Sequence, residues 1–369
     1  MQRLRGLDLL RAVAIVWVML FHSWTVGGLS ESFRFLQDTG WMGVDLFFVL
    51  SGYLIGGQLL RPLSEGKPLQ IGEFYLRRCF RILPAYLVVL GLYFLLPGFN
   101  REGGLSPLWQ YLSYTVNLFV DYAAHPGFSH VWSLCVEEHF YLLFPLMAWF
   151  LVRRGSPGLV ITLALGVLAS GMLLRGLLWY HSQDRYLEVI YYPTYNRLDG
   201  LLAGVLLAAV ELYRPLFWSA CLRRANTLLL PLGIALLLSA ILIFRDKTSH
   251  FAVVAGYPVL ALAMALLVWA GTHPSGLLAK LCVPGVRWLA ITSYSLYLIH
   301  KAAFKWVEHG LPVWTQGHDY LRFAAYTVVA LAAGAALHHA VERPFLVLRD
   351  RAMVAHPKTA GSNELVSGG

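Results

Sequence analysis

The sequence predicts an all-α membrane protein, a bundle of about ten transmembrane helices. Of its 369 residues, 58% are hydrophobic and only 13% charged, and the mean hydropathy is +0.60. Soluble proteins carry roughly 25% charged residues. The apolar residues lie in blocks of about 18–22, the length a helix needs to cross roughly 30 Å of hydrocarbon. This composition excludes an ordinary soluble domain and also a disordered chain, which needs low hydrophobicity and high net charge.

Each apolar block is separated from the next by a short segment that carries the basic residues. The range 108–120 is apolar but too short to cross a bilayer, so it predicts an interfacial or re-entrant segment. The predicted spans are 9–28, 41–60, 82–97, 135–152, 158–180, 198–213, 228–244, 251–271, 288–307 and 321–341.

The distribution of Lys and Arg predicts that both termini are cytoplasmic. With the N-terminus inside, the inner segments hold 19 of the 29 basic residues and the outer segments hold 10. We therefore expect a transmembrane domain over 1–346 and a short, disordered cytoplasmic tail over 347–369. The net charge of +9 comes from these scattered segments without a continuous basic stripe. That pattern favours membrane lipids or an anionic cytosolic ligand as partners and predicts no nucleic acid.

The first predicted helix carries two ionisable residues on one face. Arg11 and His22 are eleven residues apart, which is close to three helical turns. His22 is expected in the outer third of the bilayer, about 20 Å above the inner edge. An ionisable side chain at that depth usually faces a cavity or a partner, although a histidine that is only hydrogen-bonded between helices is the simpler alternative.

The second predicted helix brings a carboxylate to a similar depth. Asp45 is expected about 6 Å below the outer surface, and His22 about 10 Å below it. If the two helices are adjacent, Asp45 fixes the tautomer of the imidazole and raises its basicity, as in a general base. The alternative is that Asp45 only caps or orients helix ends. Small residues nearby, including Gly43 and Gly52, predict close helix packing.

An ordered series of short motifs along the chain resembles acyltransferase family 3, a family of membrane O-acyltransferases. The resemblance covers residues 5–346, and its strength lies in the order of the motifs, because each one alone is weak. The motifs are Arg11-x10-His22, Gly43-Val44-Asp45-Leu46-Phe47-Phe48 with Ser51-Gly52, Arg78-x-x-Arg81, the run from His130 to Glu138 that includes Ser133 and Glu137, Arg197-Leu198-Asp199-Gly200, the run from Ser293 to His300 that includes Tyr297, and Glu342-Arg343-Pro344.

The resemblance implies transfer of an acyl group, commonly acetyl, from cytosolic acyl-CoA to a hydroxyl. The implied acceptor is a carbohydrate such as a surface polysaccharide or lipid-linked glycan, and the alternative is a secreted small molecule such as a macrolide. It also implies that His22 is the catalytic histidine and that Arg78 and Arg81 are the family's cytoplasmic arginine pair. His139 departs from the usual residue before the Phe-Tyr pair. The chain resembles the stand-alone form, without the hydrolase-like extracytoplasmic domain of many relatives.

The chemistry of the donor agrees with these roles. Acyl-CoA carries several phosphate charges, and guanidinium groups bind phosphate in a bidentate way. Arg78 and Arg81 lie in the most basic inner segment, and Arg11 is close enough to that side to contact the donor or to hold Asp8. The alternative is that these residues only anchor the chain by the positive-inside rule.

The remaining candidates lie towards the outer helix ends. Glu137 is a candidate catalytic carboxylate. Arg197 and Asp199 either form a structural pair or bind acceptor hydroxyls. His300 is expected as high as His22, where it lines the cavity or belongs to a polar packing seam. The candidates for the acceptor side or the cavity wall are His130, Ser133, Arg197, Asp199, Tyr297 and His300.

Two mechanisms and two other classes of protein stay open on sequence alone. His22 either deprotonates the acceptor hydroxyl or takes the acyl group itself. A transporter or flippase also buries ionisable residues, but the sequence has no internal repeat of the kind that transporter halves show. A scaffold for an envelope assembly is the third class. No HxxxH or HExxH spacing predicts a metal, no tightly bound cofactor is expected, and the expected location is the bacterial inner membrane.

Overall fold

The computed structural model describes residues 4–26, 33–154, 157–182, 184–310 and 318–355, and within these ranges it contains helices and turns without a β-strand. Short π-helical segments precede α10 and α11 and join α14 to α15. The α-helices are α1 Arg5–Ser23, α2 Arg34–Thr39, α3 Met42–Ser64, α4 Ile71–Leu95, α5 Leu108–Leu112, α6 Trp132–Arg154, α7 Pro157–Trp179, α8 Asp199–Tyr213, α9 Pro215–Leu222, α10 Leu230–Ile243, α11 Tyr257–Gly271, α12 Leu277–Lys280, α13 Val286–Gly310, α14 Asp319–Leu337 and α15 Arg343–Ala355.

The all-α membrane architecture is confirmed. Each of the ten predicted spans coincides with a helix. In the described part of the chain, seven helices are long and apolar enough to cross a membrane, or eight if α8 and α9 count as one bent span. α6 and α13 are 23 and 25 residues long but carry more polar and charged residues. The count of ten spans therefore stays a prediction.

Two helices extend beyond the predicted apolar blocks. α4 begins at Ile71, eleven residues before the predicted span, so Arg78 and Arg81 lie on a helix and not in a loop. At the other end of the chain, a π-helical segment continues α14 into α15, which reaches Ala355. The predicted tail thus begins as a helix, and its last part, 356–369, lies outside the described residues. Hydropathy locates the membrane-crossing part of a helix but not a charged extension into water.

The segment predicted to be too short to cross the membrane forms two short helices, α5 and the 3₁₀ turn Val116–Leu118. The Tyr111 hydroxyl donates to the carbonyl of Gly127 at 3.0 Å, and Tyr86 of α4 donates to the carbonyl of Tyr111 at 2.9 Å. These bonds fix the segment against α4 and the start of α6.

Glycines bring α3 close to two other helices. A Cβ added to Gly52 would collide with the backbone carbonyl of Leu201 in α8, and one added to Gly204 would collide with the carbonyl of Val49. On another face of α3, a Cβ at Gly43 would lie 2.7 Å from the carbonyl oxygen of Ala14 in α1. The predicted close packing is confirmed, and α3 lies between α1 and α8, the helices that carry His22 and Asp199.

Candidate active site

A cavity of about 590 Å³ enters the bundle from the end that carries most of the basic residues. Helices α1, α3, α4, α6, α13 and α15 form its walls. Charged and amide side chains line the end of the cavity that holds the arginines, and hydroxyl and carboxyl groups lie further along the helices. The polar lining residues are Asp8, Arg11, Ser51, Gln58, Arg78, Arg81, Ser133, Glu137, Tyr141, Ser293, Tyr294, Tyr297 and Arg349.

The two arginines of the predicted pair have different surroundings. Arg81 forms an ion pair with Glu342, which is buried and also accepts hydrogen bonds from Ser295 at 2.6 Å and His338 at 2.9 Å. Arg78 donates to the Gln58 amide oxygen at 3.3 Å and lies 5.6 Å from the centre of the Tyr141 ring. Among the described residues, no carboxylate forms an ion pair with Arg78. Its guanidinium is thus the better placed of the two to bind a phosphate.

Two more arginines reach the same end of the cavity. Arg11 lies 4.0 Å from the carboxylate of Asp8, one turn earlier on α1, and both line the cavity. Arg349, on the helical extension α15, lines it as well. Nothing in the sequence singles out Arg349, because this residue lies in the range 347–369 that is predicted to be a disordered tail.

Glu137 lies in the cavity wall. Its Oε1 accepts a hydrogen bond from Ser51 Oγ at 2.6 Å, which joins α6 to α3. Glu137 is therefore accessible from the cavity, while its hydrogen bond to Ser51 holds it against α3, and its catalytic role stays a prediction.

Three imidazoles lie beyond the cavity. His22 is in the last turn of α1 and is partly accessible, whereas His130 and His300 are buried. The ring centres of His22 and His300 are 4.9 Å apart, and those of His22 and His130 are 6.0 Å apart. The helices thus bring together three of the predicted residues, from α1, from the turn before α6 and from α13.

The hydrogen bonds of His300 determine the proton positions on His22. Nδ1 of His300 lies 3.0 Å from the carbonyl oxygen of Leu296 and 2.9 Å from that of Tyr297, so Nδ1 carries the proton. Nε2 of His300 is then the acceptor for Nδ1 of His22 at 2.8 Å. When both rings are neutral, His22 holds its proton on Nδ1 and its lone pair on Nε2. That is the state a general base or a nucleophile needs.

Ser133, Tyr297 and His130 connect the deep end of the cavity to the imidazoles. Ser133 Oγ lies 2.5 Å from the Tyr297 hydroxyl, which donates to the carbonyl of His130 at 2.7 Å. Nε2 of His130 lies 3.3 Å from the carbonyl oxygen of Leu298. Ser133 and Tyr297 line the cavity, but His22 does not. A ligand that enters from the end lined by the arginines meets the Ser133–Tyr297 pair before it reaches His22.

The predicted pairing of Asp45 with His22 is wrong. Asp45 is buried, and its Oδ1 accepts a hydrogen bond from Arg197 Nη2 at 2.7 Å. Arg197 is itself enclosed by the rings of Tyr191 and Tyr257, whose centres lie 4.6 and 4.3 Å from the guanidinium carbon. The helices are adjacent as expected, but depth along a helix does not determine which side chain faces which. A buried guanidinium needs a carboxylate more than a neutral imidazole does.

Asp199 also has a charged partner. Arg175 of α7 binds it through two nitrogens at 2.7 and 3.1 Å, and both residues are buried. Arg197 and Asp199 therefore do not pair with each other. Each is neutralised by a residue of another helix, an arrangement that supports their structural alternative over acceptor binding.

Two buried basic residues, Arg175 and Lys301, are not among the predicted site residues. Arg175 is fully buried in a span that is otherwise apolar. A single charged residue in such a span is the sequence signal that could have identified it. Lys301, next to His300, lies 2.5 Å from Glu102 and 3.1 Å from Ser129 Oγ. Within the described residues, no group of three or more His, Cys, Asp or Glu side chains is arranged to hold a metal ion.

Comparison with known families agrees with the motifs. The family model described as "Acyltransferase domain" matches residues 4–339. The chain belongs to this family, acyltransferase family 3.

Curated relatives share the same region. The chain is 30% identical over 318 residues to O-acetyltransferase OatA of Staphylococcus aureus (strain NCTC 8325 / PS 47), covering 80% of this chain and 50% of the relative. It is 28% identical over 315 residues to peptidoglycan O-acetyltransferase OatA of Listeria monocytogenes, covering 80% and 48%. The chain thus spans about half the length of these curated relatives. No solved structure matches it.

Proposed function

We propose that the protein is an O-acyltransferase of the bacterial inner membrane that uses acyl-CoA, in the first instance acetyl-CoA, as donor. The acceptor that we propose is a hydroxyl of an extracytoplasmic carbohydrate, either a surface polysaccharide, peptidoglycan included, or a lipid-linked glycan. The observation that carries the proposal is the position of His22, with its lone pair on Nε2, beyond a cavity whose cytosolic end is lined by four arginines. The relatives, which are named O-acetyltransferases, support acetyl transfer to oxygen.

The arginines suit the polar part of the donor. Arg78 has no ion-pair partner among the described residues and faces the cavity together with Arg349 and Arg11. Phosphate groups bound there leave the pantetheine arm directed into the bundle. From Arg11 to His22, α1 rises about 16 Å, a distance that an extended pantetheine arm can cover.

The Ser133–Tyr297 pair controls the last part of this path. The thioester carbonyl has to pass these two hydroxyls to reach His22, so the Tyr297 side chain rotates when the donor is bound. The acceptor hydroxyl then approaches His22 from the outer side, where α1 ends.

The chemical step that we propose is direct transfer. Nε2 of His22 removes the proton from the acceptor hydroxyl, and the oxygen attacks the thioester carbonyl carbon. The carbon–sulfur bond breaks, and the CoA thiolate leaves with the proton that Nε2 had taken. The products are an O-acyl ester and free CoA. Trapping an acyl-histidine in the absence of acceptor would instead favour the nucleophilic route.

The test supplies acetyl-CoA to only one face of sealed, oriented vesicles that contain the full chain. We expect CoA release and acceptor modification only with donor on the cytosolic face, and a loss of about 10²- to 10⁴-fold in His22→Ala. The matched control His309→Ala removes an exposed imidazole and is expected to retain activity.

Three outcomes contradict the proposal. A wild-type protein that consumes no acyl-CoA favours a transporter or flippase. Full function in His22→Ala favours a scaffold. A requirement for donor on the outer face excludes transfer across the membrane. Mass spectrometry of glycans and secreted small molecules, with and without the intact gene, distinguishes a carbohydrate acceptor from a small molecule such as a macrolide.

A further inference from the structure

A short helix leaves the bundle at the end of α8. The axis of α9 is bent by 109° from that of α8. Trp218 anchors α9, because its ring is buried and stacks on Trp269 with a centroid distance of 4.8 Å. The neighbouring side chains point outward: Leu216 is 86% exposed and Phe217 is 56% exposed. A helix that crosses the bundle direction with an apolar outer face is typical of one lying in a membrane interface.

Unpaired positive charge surrounds this helix. Arg214 precedes α9, Arg223 and Arg224 follow it, and all three are exposed. The sequence from 212 to 245 contains no Asp or Glu. Among the described residues, none of these three guanidiniums forms an ion pair. By charge count, this end of the bundle is the cytosolic one, where anionic headgroups attract exposed arginines.

A separate slot of about 340 Å³ lies between α9 and the π-helical segment Ala225–Leu229. Phe217, Ala220, Cys221 and Leu228 give it apolar walls, and among the described residues that line it the charged ones are Arg223 and Arg224. None of these residues lines the larger cavity.

We propose that this slot binds an anionic phospholipid. The phosphodiester lies on Arg223 and Arg224, and the first part of an acyl chain packs on Phe217 and Leu228. Apolar walls favour a lipid over free phosphate, which has nothing to bury there. The unpaired guanidiniums favour an anionic headgroup over a zwitterionic one, because the latter brings its own cation.

The test measures lipid binding by the full chain in detergent with native mass spectrometry. Phosphatidylglycerol and phosphatidylcholine with identical acyl chains are titrated separately, and inorganic phosphate is added as a competitor. The double variant Arg223→Gln/Arg224→Gln is compared with Lys280→Gln/Arg287→Gln, which removes the same charge from exposed residues at the end of α12 and the start of α13.

We expect wild type and the Lys280/Arg287 control to prefer phosphatidylglycerol, and phosphate to compete weakly. The Arg223/Arg224 variant should lose about thirty-fold in phosphatidylglycerol affinity and little in phosphatidylcholine affinity. The thirty-fold loss corresponds to about 1 kcal/mol of attraction between an anionic lipid and each of the two basic residues. Equal affinity for both lipids, equal losses in the two double variants, or complete displacement by phosphate would overturn the lipid site. Because the readout is binding, the result is independent of whether the chain transfers acyl groups.

Discussion

The hydrogen bond from His22 to His300 predicts that replacing His300 by Gln and by Asn has different effects. In His300→Gln the side-chain amide oxygen lies where Nε2 of the imidazole was, and in His300→Asn it lies where Nδ1 was. His300→Gln therefore retains an acceptor for Nδ1 of His22, whereas His300→Asn reaches only the main chain of its own helix. Both replacements are polar and of similar size, so they perturb packing to a similar degree.

The size of the effect follows from that bond. Leaving a buried donor without its partner costs about 1–3 kcal/mol. If the cost falls on the transition state, in which His22 must keep its proton on Nδ1, kcat decreases about 5- to 150-fold. We expect this loss in His300→Asn and only a few-fold loss in His300→Gln. KM for acyl-CoA should stay unchanged in both, because His300 does not line the arginine-lined cavity in which we propose that the donor binds.

The assay is steady-state CoA release by the purified full chain in vesicles, with thermal unfolding as the check on folding. Phe304→Leu is the packing control, since Phe304 is buried with its ring centre 5.8 Å from that of His300. Equal kcat losses in the Asn and Gln variants, or a smaller loss in Asn, would refute the positioning role of His300. So would an effect confined to KM.

Two further predictions concern the donor site and helix packing. Arg78→Gln should raise KM for acyl-CoA about tenfold or more, because it removes the proposed charge-assisted phosphate contact. Arg81→Gln should mainly lower the thermal unfolding midpoint, because it leaves the buried Glu342 without the guanidinium that pairs with it. A KM effect in Arg81→Gln together with a loss of stability in Arg78→Gln would contradict these separate roles. Gly204→Ala should destabilise the protein by about 1–3 kcal/mol, because the added Cβ collides with the α3 backbone. The control is Gly91→Ala, since a Cβ added to Gly91 meets nothing within 4 Å. This control should be neutral or slightly stabilising in the same unfolding assay.

Hydropathy was sufficient to place the helices, because each apolar block has to be helical to satisfy its backbone in lipid. Hydropathy was insufficient to place the ends of the helices. Residues 71–81 include Glu73, Arg78 and Arg81, so hydropathy predicts that they lie outside the membrane span. In the structure they form the first turns of α4. A charged helix that leaves the membrane carries no apolar signal, and α15 was missed for the same reason.

Depth along a helix was the second quantity that the sequence supplied, and it gave mixed results. The equal heights of His22 and His300 were expected, and the two rings are hydrogen-bonded. The similar heights of His22 and Asp45 suggested a contact that does not exist. Counting residues gives height from the 1.5 Å rise, but the choice of neighbour depends on how the helices are rotated and on which charges compete for a partner.

That competition explains why a neutral imidazole, and not a carboxylate, supports His22. A buried carboxylate beside His22 would also fix the tautomer, but it would place a second charge in a medium of low dielectric constant that already holds Asp45 and Asp199. The charge of Asp45 is instead neutralised by Arg197, and that of Asp199 by Arg175. The hydrogen bond that His22 Nδ1 donates to Nε2 of His300 fixes the tautomer without adding charge in a medium of low dielectric constant. When both rings are neutral, the lone pair of His22 lies on Nε2, the atom that we propose takes the proton of the acceptor hydroxyl.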